Sequence, residues 1–210
     1  MARPSNTQQR RREITSALAL VMAEKGYDGA TIGDVARAAG LTSGLVHYHF
    51  DSKLEILVAV VEELGEAHLA ELDAALGEAR GGALAELDAY IDVHLATGRT
   101  ADEKRLLCWI AIGAEAIREP RVRAPYQDIL ARLTTRLELI IRKGVAAERF
   151  EVADARAAAV ALLATIQGYF GIAGAARALI PAHSAAPALK TMARGLLGVR
   201  PKARTGKVRR

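Results

Sequence analysis

The chain has 210 residues, 51% of them apolar and 4% aromatic, with a net charge of +5. That is enough apolar material for one large packed domain or two small ones, and it excludes a chain too polar to fold. A single cysteine, Cys108, excludes an internal disulfide framework and fits a reducing compartment. The opening MARPSNTQQRRRE lacks the apolar stretch of a secretory signal, so the expected location is the cytoplasm.

The charge is uneven. Residues 1–53 hold seven Lys/Arg against five Asp/Glu, residues 54–199 sixteen against nineteen, and residues 200–210 six against none. The body is near neutral, and the high pI comes from the end RPKARTGKVRR, whose lack of apolar periodicity predicts a basic, disordered tail able to add nonspecific attraction to phosphates. Alanine and leucine dominate and no long window alternates as a strand does, so the chain is expected to be all-α.

In chain order, Arg3, Arg10, Arg11 and Arg12 precede a helix marked by Ile14, Leu18, Val21 and Met22 and ending at Gly26. A basic cluster at that entry can approach a phosphate backbone or a minor groove, or stay solvated at a frayed end. Tyr27 is expected to pack under the unit that follows. Next comes TIGDVARAAGLTSGLVHYHFDSK, residues 31–53. Thr31 is an N-cap with Asp34 three residues on; Ile32, Val35, Ala36 and Ala39 repeat at helical spacing; Gly40 stops the helix and Thr42 and Ser43 start another. Val46 and Phe50 face inward, leaving Ser43, Gly44, Leu45, His47 and Tyr48 outward on a helix of barely two turns. Two helices joined by a short turn with glycine form a helix-turn-helix, whose second helix enters the major groove.

The segment also resembles the tetracycline-repressor (TetR/AcrR) family of bacterial transcription regulators. The resemblance lies in Gly26-Tyr27-Asp28, Thr31-Ile32, Ala36, Ala39-Gly40-Leu41, Tyr48-His49-Phe50 and Lys53. It is specific over residues 10–60 and rests on length and helical pattern over residues 65–200. It implies an N-terminal three-helix DNA-binding domain, set at residues 8–66, a helical effector-binding and dimerisation domain at 67–199, and the tail at 200–210.

Further along, Ser52 and Glu55 have capping-box spacing, and Leu54, Leu57, Val58, Val61 and Leu64 open a long connecting helix that continues through Leu69, Leu72 and Leu76 until Gly77 to Gly82. Helices are predicted at 84–97, at 101–118 before Pro120, at 121–148, from a cap at Asp154 to about Leu179, and at about 186–197. The window Ala157–Ala176 has twenty residues without a charge, the length of a membrane span, but its alanines, three glycines, Thr165 and Gln167 make it weakly apolar. A mostly buried helix fits better, and no membrane partner is expected. Ala161, Ala164, Gly168, Gly171 and Ala175 permit close helix approach, and the resemblance implies that the last two long helices pair with symmetry mates as a four-helix dimer interface.

For a double-stranded DNA operator, Ser43 suits bases or phosphates, Leu45 a thymine methyl, and His47 a base edge or phosphate, while Gly44 admits close approach. The resemblance implies phosphate contacts from Tyr48, His49, Lys53, Thr31 and Thr42. It also places Gly33 where some members read a base with a longer side chain, which glycine cannot do. A solvated place on the surface for His47 and His49, and a place in the core for Tyr48, are the competing readings.

For a small-molecule effector, position selects Tyr90, His94, Cys108, Trp109, Ile112, Glu115, Tyr126, Gln167 and Phe170, an apolar set with a few polar groups, Glu115 hinting at a cationic ligand. No metal is expected, since His47 and His49 point to different sides of a helix. Nor is a cofactor: the glycines of 168–174 follow no strand. With no nucleophile, base and orienting group together, an enzyme is not expected. The expected function is a homodimeric repressor on a palindromic operator, released by its effector. The rivals are a helical enzyme and a single-span membrane-associated adaptor.

Overall fold

The computed structural model describes residues 6–95 and 103–199. The tail, Arg3, and the junction of the helices predicted at 84–97 and 101–118 lie outside the described residues. Those described form α-helices and one short 3₁₀ turn, without strands. The helices are α1 (Asn6–Gly29), α2 (Ile32–Ala39), α3 (Ser43–His49), α4 (Lys53–Glu78), α5 (Ala83–Leu95), α6 (Glu103–Arg118), α7 (Pro120–Ala146), α8 (Ala155–Ala176) and α9 (Ala185–Leu196), with the 3₁₀ turn at Arg177–Leu179.

Local chemistry sets the N-terminal head. The regular part of α1 breaks at Gly26, whose φ of 70° lies in the left-handed region. Thr31 and Asp34 make a reciprocal capping box at the start of α2, Thr31 Oγ1 accepting from the Asp34 N–H at 3.1 Å. Gly40 ends α2 at φ 67°, its N–H donating back to Ala36 and Arg37, and Thr42 caps α3 by accepting from Leu45 N at 3.2 Å. Val46 and Phe50 then drop into a core with Ile14, Leu18, Met22 and Val35.

Helix α4 runs from this head into the body. Its cap is not the reciprocal one predicted: Ser52 Oγ accepts from Glu55 N, but the Glu55 carboxylate accepts from Asp51 N at 2.8 Å rather than from Ser52. Its buried face is also rotated from the predicted stripe. Ile56, Leu57, Val60, Val61, Leu69 and Leu72 are buried, whereas Leu54, Val58 and Leu64 are only half-buried. The reason is that α4 is packed on two sides, by α1 in the head and by α5 and α7 in the body, so one stripe does not describe it.

The body is built on α7, which touches α4, α5, α6 and α8, while α9 closes against α5 and α8. Bidentate Arg136 on Asp73 ties α7 to α4, and Lys190 on Asp92 and Arg194 on Asp88 tie α9 to α5. Helix α1 also lies along α6, with ion pairs Lys104 to Glu24 at 3.1 Å and Arg118 to Asp28 at 3.9 Å. Among the described residues α8 and its following turn are long and apolar enough to cross a membrane. It is not the mostly buried helix expected: Ala158, Ala159, Leu162, Leu163 and Ile166 enter the core, and the opposite face is open because no described element of the chain packs on it.

Candidate nucleic-acid interface and internal cavity

The outer face of the head carries the residues singled out from sequence. Thr31, Gly33, Thr42, Ser43, Gly44, His47 and Tyr48 are exposed, and Leu45 and His49 are half-exposed, on adjacent surfaces of α2 and α3. Tyr48 is 80% exposed and meets His49 edge-on at 5.1 Å between ring centroids, so core packing does not hold for Tyr48. The Thr31 hydroxyl is engaged by Asp34 on both its donor and acceptor sides. Asp34 accepts in turn from Lys25 and Arg37, and the hydrogen bonds from Thr31 and Lys25 hold its carboxyl far below the usual carboxylate range.

Two basic residues have structural work that sequence did not reveal. Lys53 donates to the carbonyls of Tyr27 and Ala30, each at 2.8 Å, and lies over the Tyr27 ring. Two of its three N–H donors are thus committed, leaving one for a phosphate. Arg11 donates to the His49 carbonyl, approaches Glu55 at 3.5 Å and stacks 3.9 Å over Phe50. It clamps the end of α3 to α1 rather than hanging free as an arm, and Arg10 is paired with Glu13.

Inside the body is a cavity of about 730 Å³. Of the nine pocket residues chosen from sequence, His94, Trp109, Gln167 and Phe170 line it. Tyr90, Cys108, Ile112, Glu115 and Tyr126 do not. Tyr90 is fully buried, its hydroxyl donating to the Leu133 carbonyl at 3.3 Å; Cys108 and Ile112 are core, and burial pushes the Cys108 thiol up to about 12. Tyr126 lies against Trp109 from behind, 5.0 Å between centroids, with its hydroxyl near Gly113. Glu115 faces the head: after burial, its charge is the next cause that raises the Tyr27 phenol. It therefore gives no support to a cationic ligand in the cavity.

Sequence reasoning missed His68 and Glu71 on α4, Asp92 on α5, Arg105 on α6, Tyr169 on α8, and Arg177 and His183 beyond it, all in the lining. Leu64, His68 and Glu71 stand at i, i+4 and i+7, so polar residues in an apolar register were the available signal. His183 is brought in by a turn with φ of 59°, which no periodicity announces. Among the described residues no group of three or more His, Cys, Asp or Glu forms a metal site.

The small residues proposed for close helix approach stand together on the outside. Ala161, Ala164, Gly168, Gly171 and Ala175 are all exposed on α8, flanked by exposed Val160 and Ile172, and α7, which packs on α8, exposes Leu139 and Val145.

A helix-turn-helix head joined by a long helix to a hollow helical body is the architecture of one-component helix-turn-helix transcriptional regulators. The family model for bacterial regulatory proteins of the tetR family matches residues 14–60, and that for the BetI-type transcriptional repressor C-terminal domain matches residues 83–198, more than half of the chain. The chain belongs to the TetR family.

Curated relatives match mainly through the head. The transcriptional regulator SrpR of Pseudomonas putida is 39% identical over 69 residues, 33% of this chain and 32% of that protein. The regulator BetI of Rhizobium meliloti is 28% identical over 124 residues, 54% of this chain and 55% of that protein. The matched part spans about a third to a half of the first relatives' length. Solved structures align over nearly the whole fold. A Rhodococcus transcriptional regulator superposes with a TM-score of 0.78 at 26% identity, covering 91% of this chain and 99% of its own. A regulator from Saccharomonospora viridis, solved in complex with choline, gives 0.78 at 22% identity over 92% of this chain and 100% of its own.

Proposed function

We propose that this chain is a cytoplasmic, homodimeric transcriptional repressor that binds a palindromic DNA operator and is released from it by a small molecule. The observation that carries the reading is the course of α4. It starts at Lys53 in the head, and its residues Leu64, His68 and Glu71 form one wall of the cavity. A molecule that fills the cavity bears on the same rigid element that carries the head, so it favours one setting of the head over another.

The head, residues 8–66, reads DNA through Ser43, Gly44, Leu45 and His47, with phosphates held by Thr42, Tyr48, His49 and the remaining donor of Lys53; Thr31, whose hydroxyl and N–H both donate to Asp34, keeps its donors for the cap of α2. Gly33 lets the backbone approach. One such helix reads only a few base pairs, so two heads on one duplex are needed for useful specificity. The body, residues 67–199, supplies the second head by pairing. The open α7 and α8 face, with Ala161, Ala164, Gly168, Gly171 and Ala175 at its centre, suits a four-helix interface across a two-fold axis. A membrane role would expose to lipid a helix whose other face belongs to the core.

The test is Ala164→Glu, a substitution on an exposed site of α8. Sedimentation is expected to show a dimer for the parent chain and a monomer for the variant, which also loses operator binding while keeping its helical circular dichroism. A variant that remains dimeric and bound would overturn the interface.

A further inference from the structure

The cavity carries a chemical preference of its own, set by one side chain. His94 sits in the last turn of α5, is 9% exposed, and lines the cavity. Its Nδ1 lies 2.8 Å from the Tyr90 carbonyl one turn back, and a carbonyl only accepts. Nδ1 therefore carries the proton. The distal nitrogen, Nε2, is left as a bare acceptor covered by its neighbours, so that a donor in the cavity reaches it once the side chains around it part, and it is the one buried side-chain polar atom without a partner among the described residues.

The surroundings keep that nitrogen an acceptor. The ring is stacked on Tyr90 at 4.5 Å and meets the edge of His68 at 4.6 Å. Burial is the first cause, and the neighbouring His68 the second, that push the imidazole down to about 3, so it is neutral at pH 7. The nearby wall charges are answered from within the protein: Glu71 by Arg105 at 3.5 Å and Asp92 by Lys190 at 2.6 Å. Leu64, Val93, Leu133, Trp109 and Phe170 supply apolar and aromatic wall, and Glu103, Gln167, Arg177 and His183 add polar groups elsewhere in the lining.

An acceptor buried without a partner costs free energy until a donor reaches it. We infer that the effector is an uncharged, largely apolar ring compound that donates one hydrogen bond, from a hydroxyl or N–H, to His94 Nε2 while its ring lies against Trp109 and Phe170. This rests on the cavity being the effector site, as proposed above.

The probes are p-cresol and its methyl ether, 4-methylanisole, which share shape and differ in the donor, with tetramethylammonium as a cation. Calorimetry on the full chain is expected to show p-cresol binding about tenfold more tightly than the ether, the size of one buried hydrogen bond, and tetramethylammonium not binding. His94→Phe keeps a stacked ring and removes the acceptor. It should bring the two ring compounds to equal affinity, by weakening p-cresol alone. If that variant does not fold, the parent chain still decides: ¹⁵N shifts of His94 should move at Nε2, not Nδ1, when p-cresol is added. Equal binding of p-cresol and the ether by the parent chain, or binding of the cation in preference to both, overturns the inference and leaves the cavity as an effector site. Binding of none of the three overturns both.

Discussion

Lys53 holds Tyr27 in two ways: its ammonium donates to the Tyr27 carbonyl at 2.8 Å and stands 4.2 Å from the centroid of the Tyr27 ring. Together with its bond to the Ala30 carbonyl, this fastens the start of α4 to the segment that ends α1. Lys53 is therefore a structural residue of the head before it is a contact for DNA. Lys53→Met should lower stability by about 1–3 kcal/mol, since partly buried charge-assisted hydrogen bonds are lost, and weaken operator binding with it. Urea unfolding checks the first part; an unchanged midpoint would mean the residue serves phosphates only.

Tyr48 is the contrasting case. At 80% exposure it has little packing to lose. Tyr48→Ala should leave the free energy of unfolding within about 0.5 kcal/mol of the parent and reduce operator affinity by about tenfold, as expected for loss of a single contact. Fluorescence anisotropy with a labelled operator measures the loss.

At Gly144 the backbone of α7 approaches the ring of Phe150 so closely that an added Cβ would stand 2.0 Å from Cδ2. Phe150 is buried, and its ring cannot bend away as a flexible chain end does. Gly144→Ala should destabilise the body by about 1–3 kcal/mol through overpacking. A melting temperature equal to the parent's would show that the ring has room to move.

Burial of His94 links stability to pH. Its folded value, about 3, lies below the ordinary value near 6.5 that it regains on unfolding. Between those values the unfolded chain binds the proton and the folded chain does not, so stability is whole above about 6.5 and falls as pH drops toward 3. Burial depresses His68 in the same direction. From pH 6.5 to 5 the loss should be about 1–2 kcal/mol for His94, and His94→Phe should remove it. Unfolding in urea at the two pH values tests this; equal midpoints for the parent chain would mean the ring is protonated in the fold.

The head was legible because its determinants are local. Thr31, Asp34, Gly40 and Thr42 cap and stop helices within a few residues of themselves, and Val46 and Phe50 declare their face by spacing. The cavity was half legible. Spacing shows that Cys108, Ile112 and Trp109 lie on inward parts of α6, but which of them meets a neighbour and which meets empty space depends on where α8 and α9 settle. Glu115 illustrates the limit: it lies only six residues from Trp109, yet it serves the head and not the cavity. The work of Arg11 and Lys53 was hidden for the same reason, since their partners lie 38 and 26 residues away.

The most direct test of the central claim is selection of bound sequences from random duplex DNA by the purified chain, repeated across salt concentrations. The account predicts an enriched palindrome with two half-sites about one helical turn, roughly 10 base pairs, apart, retained as salt rises. Salt-sensitive retention with no enriched sequence would contradict it: DNA would then be held by charge alone, and the face formed by α2 and α3 would not be a reader.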